Sequence, residues 1–190
     1  MESLEYLDIA DNVYTTRLPA SISSLPSLKF FYFDNVLFVP GGQTMEFMVG
    51  MPSIEECWMD FTELSGSMPT ELGTLTTLVS LSVTFCGLVG PIPSELGNLE
   101  MLDRMWIYQN QFRGTIPTEL ANPERIMILQ FEGNELSGTM PAEICAKRTP
   151  LGLLGTLGAD CQGTGTVTSV ECDCCTCCGG AACGDFNFNR

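Results

Sequence analysis

The stretch LVSLSVTFCGLVGPIPSELGNL, residues 78–99, decides how this chain folds. Leu78, Leu81 and Val83 stand at positions 1, 4 and 6 of the stretch, and the last two have the spacing of residues on one face of a β-strand. The second half contains Pro93, which fixes φ and favours an extended path before it. Ser94 and Glu95 then predict an N-cap and the first turn of a short helical segment.

The same pattern recurs along the chain. Six apolar runs begin at Leu4, Leu28, Ile54, Leu78, Leu102 and Ile126, and an incomplete seventh run, LGTLGADC, occupies residues 154–161. A single strand with one apolar face cannot bury that face alone, whereas stacked copies share a continuous core and hydrogen-bond to each other. The repeats therefore predict uniform turns over residues 54–144, with strands near 57–60, 81–84, 105–108 and 129–132.

Position 9 of the runs carries Asn12, Asn110 and Asn134, whose amides can satisfy backbone groups where the chain turns. The second repeat departs from this pattern, because it is 26 residues long and has Val36 at position 9. The segment FVPGGQTMEFMVGMPS, residues 38–53, replaces its proline motif. We interpret this segment as a decayed repeat with a bulged loop, and the alternative is a binding loop around residues 40–42.

The repeated pattern L-x-x-L-x-L-x-x-N-x-L-x-G-x-I-P-x-x-L-G-x-L resembles the plant-type leucine-rich repeat over residues 4 to about 161. The resemblance implies an α/β solenoid shaped as a right-handed horseshoe. Its parallel β-sheet would line the concave face, with short 3-10 or helical turns on the convex face and a second extended segment at the I-P positions. The tail, LGTLGADC to VECDCCTCC, resembles the ending of secreted diatom-type leucine-rich-repeat proteins. We expect a solenoid of six repeats over residues 1–144, followed by a Cys-rich C-terminal cap and tail over residues 145–190.

Eight of the ten cysteines lie in that tail: Cys145, Cys161, Cys172, Cys174, Cys175, Cys177, Cys178 and Cys183. Their C-x2-C pairs overlap, which disfavours a zinc ribbon and leaves a metallothionein-like cluster as the metal alternative. We favour a disulfide-rich cap without metal, because the last repeat exposes an apolar end that a small stapled segment can cover. The pairing stays open. Cys57 and Cys86 are predicted to be buried free thiols.

Composition narrows the classes of function. The net charge is −15 with eight basic residues, which disfavours nucleic acid and anionic membrane surfaces as partners. No histidine is present, so the usual general base is missing. The chain has no apolar run of membrane-spanning length and does not start with a signal peptide. Because persistent disulfides imply an oxidising compartment, we expect an extracellular or cell-surface protein and an N-terminally truncated chain.

The outward positions of the strands are predicted to form a binding face. Exposed aromatic residues on a rigid sheet are typical anchors for ligands. The candidate ligand-binding residues are Tyr32, Asp34, Trp58, Asp60, Phe61, Phe85, Trp106 and Tyr108. Asp34 and Asp60 share a column in neighbouring repeats, where like charges could raise each other's pKa or hold a cation, although a solvated acidic face is the commoner arrangement.

These features favour a non-enzymatic recognition module that binds a protein or peptide on the concave face. Its ligand could be a basic peptide or a glycan, and no cofactor and no catalytic residue are predicted. The alternatives are an inhibitor of a secreted hydrolase, which the resemblance suggests, and a carbohydrate-binding or adhesion protein. A carboxylate-based hydrolase is less favoured, because regular repeats leave no deep pocket.

Overall fold

The computed structural model describes residues 2–14, 16–38, 42–148, 152–161 and 169–177. Its main sheet has eight strands, and every neighbouring pair is parallel. The strands follow one another in sequence order: Tyr6–Asp8, Phe30–Tyr32, Glu56–Trp58, Ser80–Ser82, Arg104–Trp106, Ile128–Gln130, Thr156–Ala159 and Thr176–Cys177. This parallel stack of repeats confirms the predicted solenoid.

The strands begin one residue earlier and end two residues earlier than predicted. Equivalent positions pair across the sheet, as Leu81 does with Met105. Single hydrogen bonds continue beyond the strand, since the Val83 amide donates to the Trp106 carbonyl at 2.8 Å. At position 8, however, the backbone adopts a left-handed conformation, with φ of 55° at Phe85. This conformation turns the chain away from the ladder, and the apolar spacing alone does not reveal it.

Smaller strand pairings flank the main sheet. A three-stranded parallel ribbon consists of Val89–Gly90, Gln111–Gly114 and Glu135–Leu136, and it lies directly before the proline motifs. Val13–Tyr14 pairs with Leu37–Phe38, and Gly138–Thr139 pairs with Val170–Glu171. The implied second extended segment is therefore present, a few residues ahead of the I-P positions.

Short helical turns occupy the convex side. The 3-10 turns are Ala20–Ser24, Met45–Met48, Thr70–Thr74, Ser94–Asn98 and Thr118–Ala121, and an α-helix spans Ala142–Ala146. The predicted N-cap was wrong by one residue, because Pro93 takes that place with φ −64° and ψ 130°. The Ser94 hydroxyl instead lies 3.4 Å from the Glu95 carboxylate. Proline already has the extended backbone that an N-cap needs, so the turn starts one residue later than a serine cap would place it.

Neighbouring convex turns approach each other closely at two glycines. A Cβ on Gly73 would collide with the backbone carbonyl of Glu95, and a Cβ on Gly97 would collide with that of Glu119. The fifth repeat has Ala121 at the equivalent place. Glycine therefore sets the spacing of the third, fourth and fifth turns.

The core runs through all the repeats as one cluster. Its central column consists of the middle residue of each strand, including Phe31, Cys57, Leu81, Met105 and Leu129, which are at most 1% exposed. Buried asparagines close the turns beside this column, as predicted, at Asn110 and Asn134, whereas Asn12 of the first repeat is exposed. The Asn110 amide donates to the Val83 carbonyl at 2.7 Å, and its Oδ1 accepts from the amides of Cys86 and Leu88.

The irregular second repeat keeps a convex turn in spite of its different sequence. Met45 and Met48 are fully buried in the turn, and Phe47 contacts Phe31 and Phe33 edge to face. Gln43 is 5% exposed and accepts the Leu18 amide at 3.0 Å. The segment thus packs into the core as a regular repeat does. Pro40 and Gly41, at the centre of the alternative binding loop, lie outside the described residues.

Disulfides close the C-terminal end of the solenoid. Cys145 is bonded to Cys174, Cys172 is bonded to Cys175, and Cys161 is also disulfide-bonded. The predicted disulfides are confirmed for these five residues, whereas the Cys177 side chain, Cys178 and Cys183 lie outside the described part. Cys57 and Cys86 are buried free thiols, as predicted. The tail also adds two strands to the main sheet, so the boundary at residue 144 stays a prediction.

Candidate binding face

The outward face of the main sheet is built from positions 3 and 5 of each repeat, counted from the start of its apolar run. These two residues flank the buried middle residue of the strand, at position 4. In the first three repeats, aromatic side chains meet across this face. The Tyr6 and Tyr32 rings pack edge to face with centroids 5.5 Å apart, and the Tyr32 and Trp58 rings lie 4.8 Å apart. Tyr6, Tyr32 and Trp58 form what we call the aromatic row.

Hydrogen bonds hold two members of the aromatic row in place. The Trp58 indole nitrogen donates to the Ser80 hydroxyl at 3.1 Å, and the Tyr32 hydroxyl donates to Glu56 Oε2 at 3.0 Å. Partial burial raises the pKa of Tyr32, and the hydrogen bond to Glu56 adds to that rise. The phenol therefore remains protonated and keeps its ring in a defined orientation.

A basic residue on this face is already paired. Arg104 Nη2 lies 3.4 Å from Glu56 Oε1, and Arg104 Nε donates to Asp103 Oδ1 at 2.7 Å. Glu56, which lies on the same strand as Trp58, thus links Arg104 of the fifth repeat to Tyr32 of the second repeat. This polar network borders the aromatic row and limits how far its side chains can move.

The acidic column at position 7 differs from the expectation of two exposed, mutually repelling carboxylates. Asp34 is only 5% exposed, and its Oδ1 accepts the backbone amide of Asp60 at 2.9 Å. Asp60 accepts the Ser82 hydroxyl, the Thr84 amide and the Thr84 hydroxyl at 2.7–2.8 Å. Each carboxylate is thus tied to the next repeat, which makes it a structural acceptor rather than a free charge.

The position 7 column ends at two carboxyl groups near the C-terminal cap. Glu132 is 5% exposed; its Oε1 accepts from Gln130 Nε2 at 2.9 Å, and its Oε2 is buried without a partner among the described residues. Asp160 Oδ2 accepts the amides of Gly133 and Asn134. Burial raises the pKa of Glu132 and of Asp160, and the Asp160 charge raises that of Glu132 further.

Asp160 was missed as a polar residue of this column by sequence reasoning. It stands at position 7 of the incomplete seventh run, so extension of the column by one repeat would have found it. Ser80, the partner of Trp58, carried no signal, because serine is common at exposed strand positions.

Position 8 forms a row at the edge of the face. Its residues in the six repeats, all with positive φ, are Asp11, Asn35, Phe61, Phe85, Gln109 and Gly133. Phe61 and Phe85 are 55% and 44% exposed, and their rings stack with centroids 4.5 Å apart and an interplanar angle of 9°. The Tyr108 ring meets Phe85 edge-on at 5.7 Å.

The candidate residues therefore fall into groups of different exposure. Phe61 and Phe85 are exposed, and Tyr32, Trp58, Asp60 and Tyr108 are partly buried. The expectation of exposure was wrong for Asp34, as described, and for Trp106, which is only 8% exposed. Trp106 lies between Ser82 and Gln130 in the strand register. Strand position determines which face a side chain takes, but neighbouring side chains determine how much of it reaches solvent.

Comparisons with known proteins identify the class of fold. A model of the leucine-rich repeat matches residues 77–99. The plant peptide hormone receptor RGFR1 in complex with RGF2 superposes with a TM-score of 0.67 at 26% identity, over 76% of this chain and 27% of the receptor chain. The Arabidopsis receptor kinase HAESA, in complex with the peptide hormone IDA and the co-receptor SERK1, superposes with a TM-score of 0.69 at 28% identity. The match covers 76% of this chain and 24% of the HAESA chain.

A plant ice-binding protein is a third similar structure, with a TM-score of 0.65 and 26% identity, over 74% of this chain and 45% of that chain. Among curated proteins, none matches the chain. The chain spans about a quarter of the length of the two receptor chains. Its fold is a leucine-rich-repeat solenoid, as its sequence predicted, and the chain is similar to these plant proteins. None of its described helices is long and apolar enough to cross a membrane.

Proposed function

We propose that the chain is a non-enzymatic, extracellular or cell-surface recognition module that binds a peptide or protein on the concave face of its sheet. The two similar receptors carry peptide hormones in their structures, which supports a ligand of this class. The disulfides at the C-terminal end fit an oxidising compartment.

The observation that carries this proposal is the aromatic row. Tyr32 and Trp58 are partly exposed on adjacent strands, and hydrogen bonds to Glu56 and Ser80 hold them in place. Large aromatic side chains that are already ordered lose little conformational entropy on binding, and they are enriched among the residues that dominate affinity. The row therefore has the properties of an anchor for a ligand.

The carboxylates support recognition more than catalysis. A general base or nucleophile needs an oxygen that can reach the substrate, whereas Asp60 already accepts hydrogen bonds from Ser82 and Thr84. Asp34 is buried against the Asp60 amide. Both carboxylates have a structural task that accounts for their presence.

The proposal is tested by selection and titration. The disulfide-intact chain is presented to a displayed library of short random peptides, and an enriched peptide is synthesised and titrated by calorimetry. We expect Trp58→Ala to weaken its binding about tenfold or more, while Glu71→Gln on the convex side leaves binding unchanged. Failure to enrich any peptide, or an affinity that depends on Glu71 but not on Trp58, would contradict the proposal.

A further inference from the structure

The phenylalanine pair at position 8 is unfavourable for the isolated chain in two ways. First, a bulky residue with positive φ is rare, because its Cβ crowds the backbone. The four other repeats place a polar residue or glycine there, and Asn35 and Gly133 are of the types that tolerate the conformation best. Second, Phe61 and Phe85 keep about half of their surface in solvent, so burial in the core does not explain them. Strained and exposed residues of this kind cluster where proteins bind ligands.

The geometry of the pair leaves aromatic surface available. The parallel stack covers one face of each ring, and Tyr108 meets Phe85 edge-on. Because Phe61 is 55% exposed, most of the rest of its ring faces solvent. The face of an aromatic ring carries partial negative charge and attracts a cation placed over it.

The third and fourth repeats, which carry the pair, contain only acidic charged residues, and Arg104 of the fifth repeat is paired with Glu56 and Asp103. Residues 30–103 contain ten acidic residues and no lysine or arginine. Asp60 precedes Phe61 directly, and the exposed Glu63 lies two residues beyond it. Asp11, exposed in the same row, accepts a hydrogen bond from Asn35 at 2.9 Å. A cationic group that approaches the rings thus enters a negative field, whereas an anionic group would be repelled.

We propose that the Phe61–Phe85 pair is a subsite for an arginine or lysine side chain of the ligand, which would be a basic peptide segment. This inference rests on the proposed recognition function and specifies the chemistry of its partner. The cation would lie against the open part of the ring stack, and Asp60 and Glu63 would contribute longer-range attraction. The aromatic row, whose Trp58 lies three residues before Phe61 in the same repeat, would hold an adjacent part of the same segment.

Three synthetic peptides test the subsite. They share a glycine–serine background and carry arginine, citrulline or norleucine at the same positions, so that they differ in charge but have comparable length. Calorimetric titration should show that the arginine peptide binds about tenfold more tightly than the citrulline peptide, and that added salt weakens its binding. Norleucine binding as tight as arginine binding would overturn the proposal and indicate an apolar partner.

Matched variants separate the subsite from general attraction to an acidic protein. The double variant Phe61→Ala with Phe85→Ala, and the single variant Phe85→Leu, should weaken the arginine peptide, the double variant by about fivefold or more. Phe61→Tyr keeps an aromatic face and should bind within about twofold of the unchanged chain. Equal losses in the convex control, Glu71→Gln with Glu95→Gln, would overturn the proposal. Binding that falls with Trp58→Ala but not with the phenylalanine variants would overturn the subsite while leaving concave-face recognition intact.

Discussion

The Asp60 carboxylate accepts two hydrogen bonds from Thr84 in the next repeat. The Thr84 backbone amide donates to Oδ1 at 2.7 Å, and the Thr84 hydroxyl donates to the same oxygen at 2.8 Å. A charged acceptor that serves two donors of a neighbouring strand fixes the separation and the register of the two repeats. The acidic character of this column therefore contributes to the fold.

Replacement of Asp60 should destabilise the solenoid. In Asp60→Ala the buried Thr84 amide and hydroxyl lose their acceptor, so we expect the free energy of unfolding in urea to fall by about 2 kcal/mol. Glu63→Ala, which removes an exposed carboxylate of the same repeat, is the control and should change it by less than about 0.5 kcal/mol. Equal losses for the two variants would show that the hydrogen bonds to Thr84 add no stability.

The two tryptophans should respond differently to truncation. Trp106 is 8% exposed, so Trp106→Ala should cost about 3 kcal/mol of unfolding free energy by loss of packing. Trp58→Ala should cost clearly less, because Trp58 is only partly buried. Thermal melts of both variants give the comparison, and a larger loss for Trp58 would contradict the burial of Trp106.

Alanine usually gives a more stable folded chain than glycine, and we expect the opposite order of stability at position 8. Phe61→Ala and Phe61→Gly both lose the ring stack, but only glycine adopts φ of 54° without steric cost. We expect the glycine variant to be more stable than the alanine variant by about 1 kcal/mol. The same pair of changes at Thr77, outside the left-handed row, serves as the reference. Alanine more stable than glycine at position 61 would argue against backbone strain.

Glu132 should make stability depend on pH. Burial raises its pKa in the folded chain, so the folded state holds this proton more tightly than the unfolded chain does. The protonated carboxyl group contributes fully to the free energy of unfolding at pH values below its ordinary pKa of 4.5. This contribution is lost as the pH rises through the higher pKa of the folded state. Glu132→Gln cannot ionise, so it should be more stable than the unchanged chain at neutral pH, by about 1 kcal/mol.

Urea denaturation at acidic and neutral pH checks this prediction. Asp160, whose pKa is also raised by burial, contributes a pH dependence of the same sign, so the slope should decrease in Glu132→Gln without vanishing. Glu143→Gln, an exposed change, is the control. An unchanged slope in Glu132→Gln would mean that this carboxyl group ionises without cost in the folded state.

The two free thiols should be unreactive until the chain unfolds. Burial raises the pKa of Cys86 to about 12 and that of Cys57 well above its usual value, so neither side chain supplies thiolate near neutral pH. Alkylation without reductant, followed by peptide mass spectrometry, should label Cys57 and Cys86 only in denaturant. Labelling of Cys145 or Cys172 under these conditions would contradict the disulfides of the cap.

The spacing of apolar residues predicted the positions and the order of the strands, and the family resemblance implied that they run parallel. Leu81 and Val83 mark the inward face, and the recurring prolines mark where each convex turn begins. The left-handed residue at position 8 was missed, because Phe61 and Phe85 are residues that normally avoid this conformation. Asp11, Asn35 and Gly133 at the same position carried the available signal, because these residue types tolerate a positive φ, but they are also common in turns of other kinds.

The details of the candidate binding face depend on contacts between repeats, which a repeat pattern does not contain. Asp34 and Asp60 were correctly placed in one column, yet their hydrogen bonds need the register of the backbone amides. Trp106 was placed on the correct face but is covered by its surroundings. The pairing of Cys145 with Cys174 could not be inferred either, because cysteines this close in sequence allow many connectivities.

The close approach at Gly97 means that the curvature of this molecule is adjustable from its outer side. Hydrogen bonds fix the distance between strands at about 4.8 Å, so any thickening of the convex layer must be accommodated by a sharper bend. A methyl group at Gly97 would push the fourth and fifth turns apart and tilt Ser82 and Trp106 towards each other on the inner surface. The shape offered to a ligand is therefore set partly by residues that the ligand never touches.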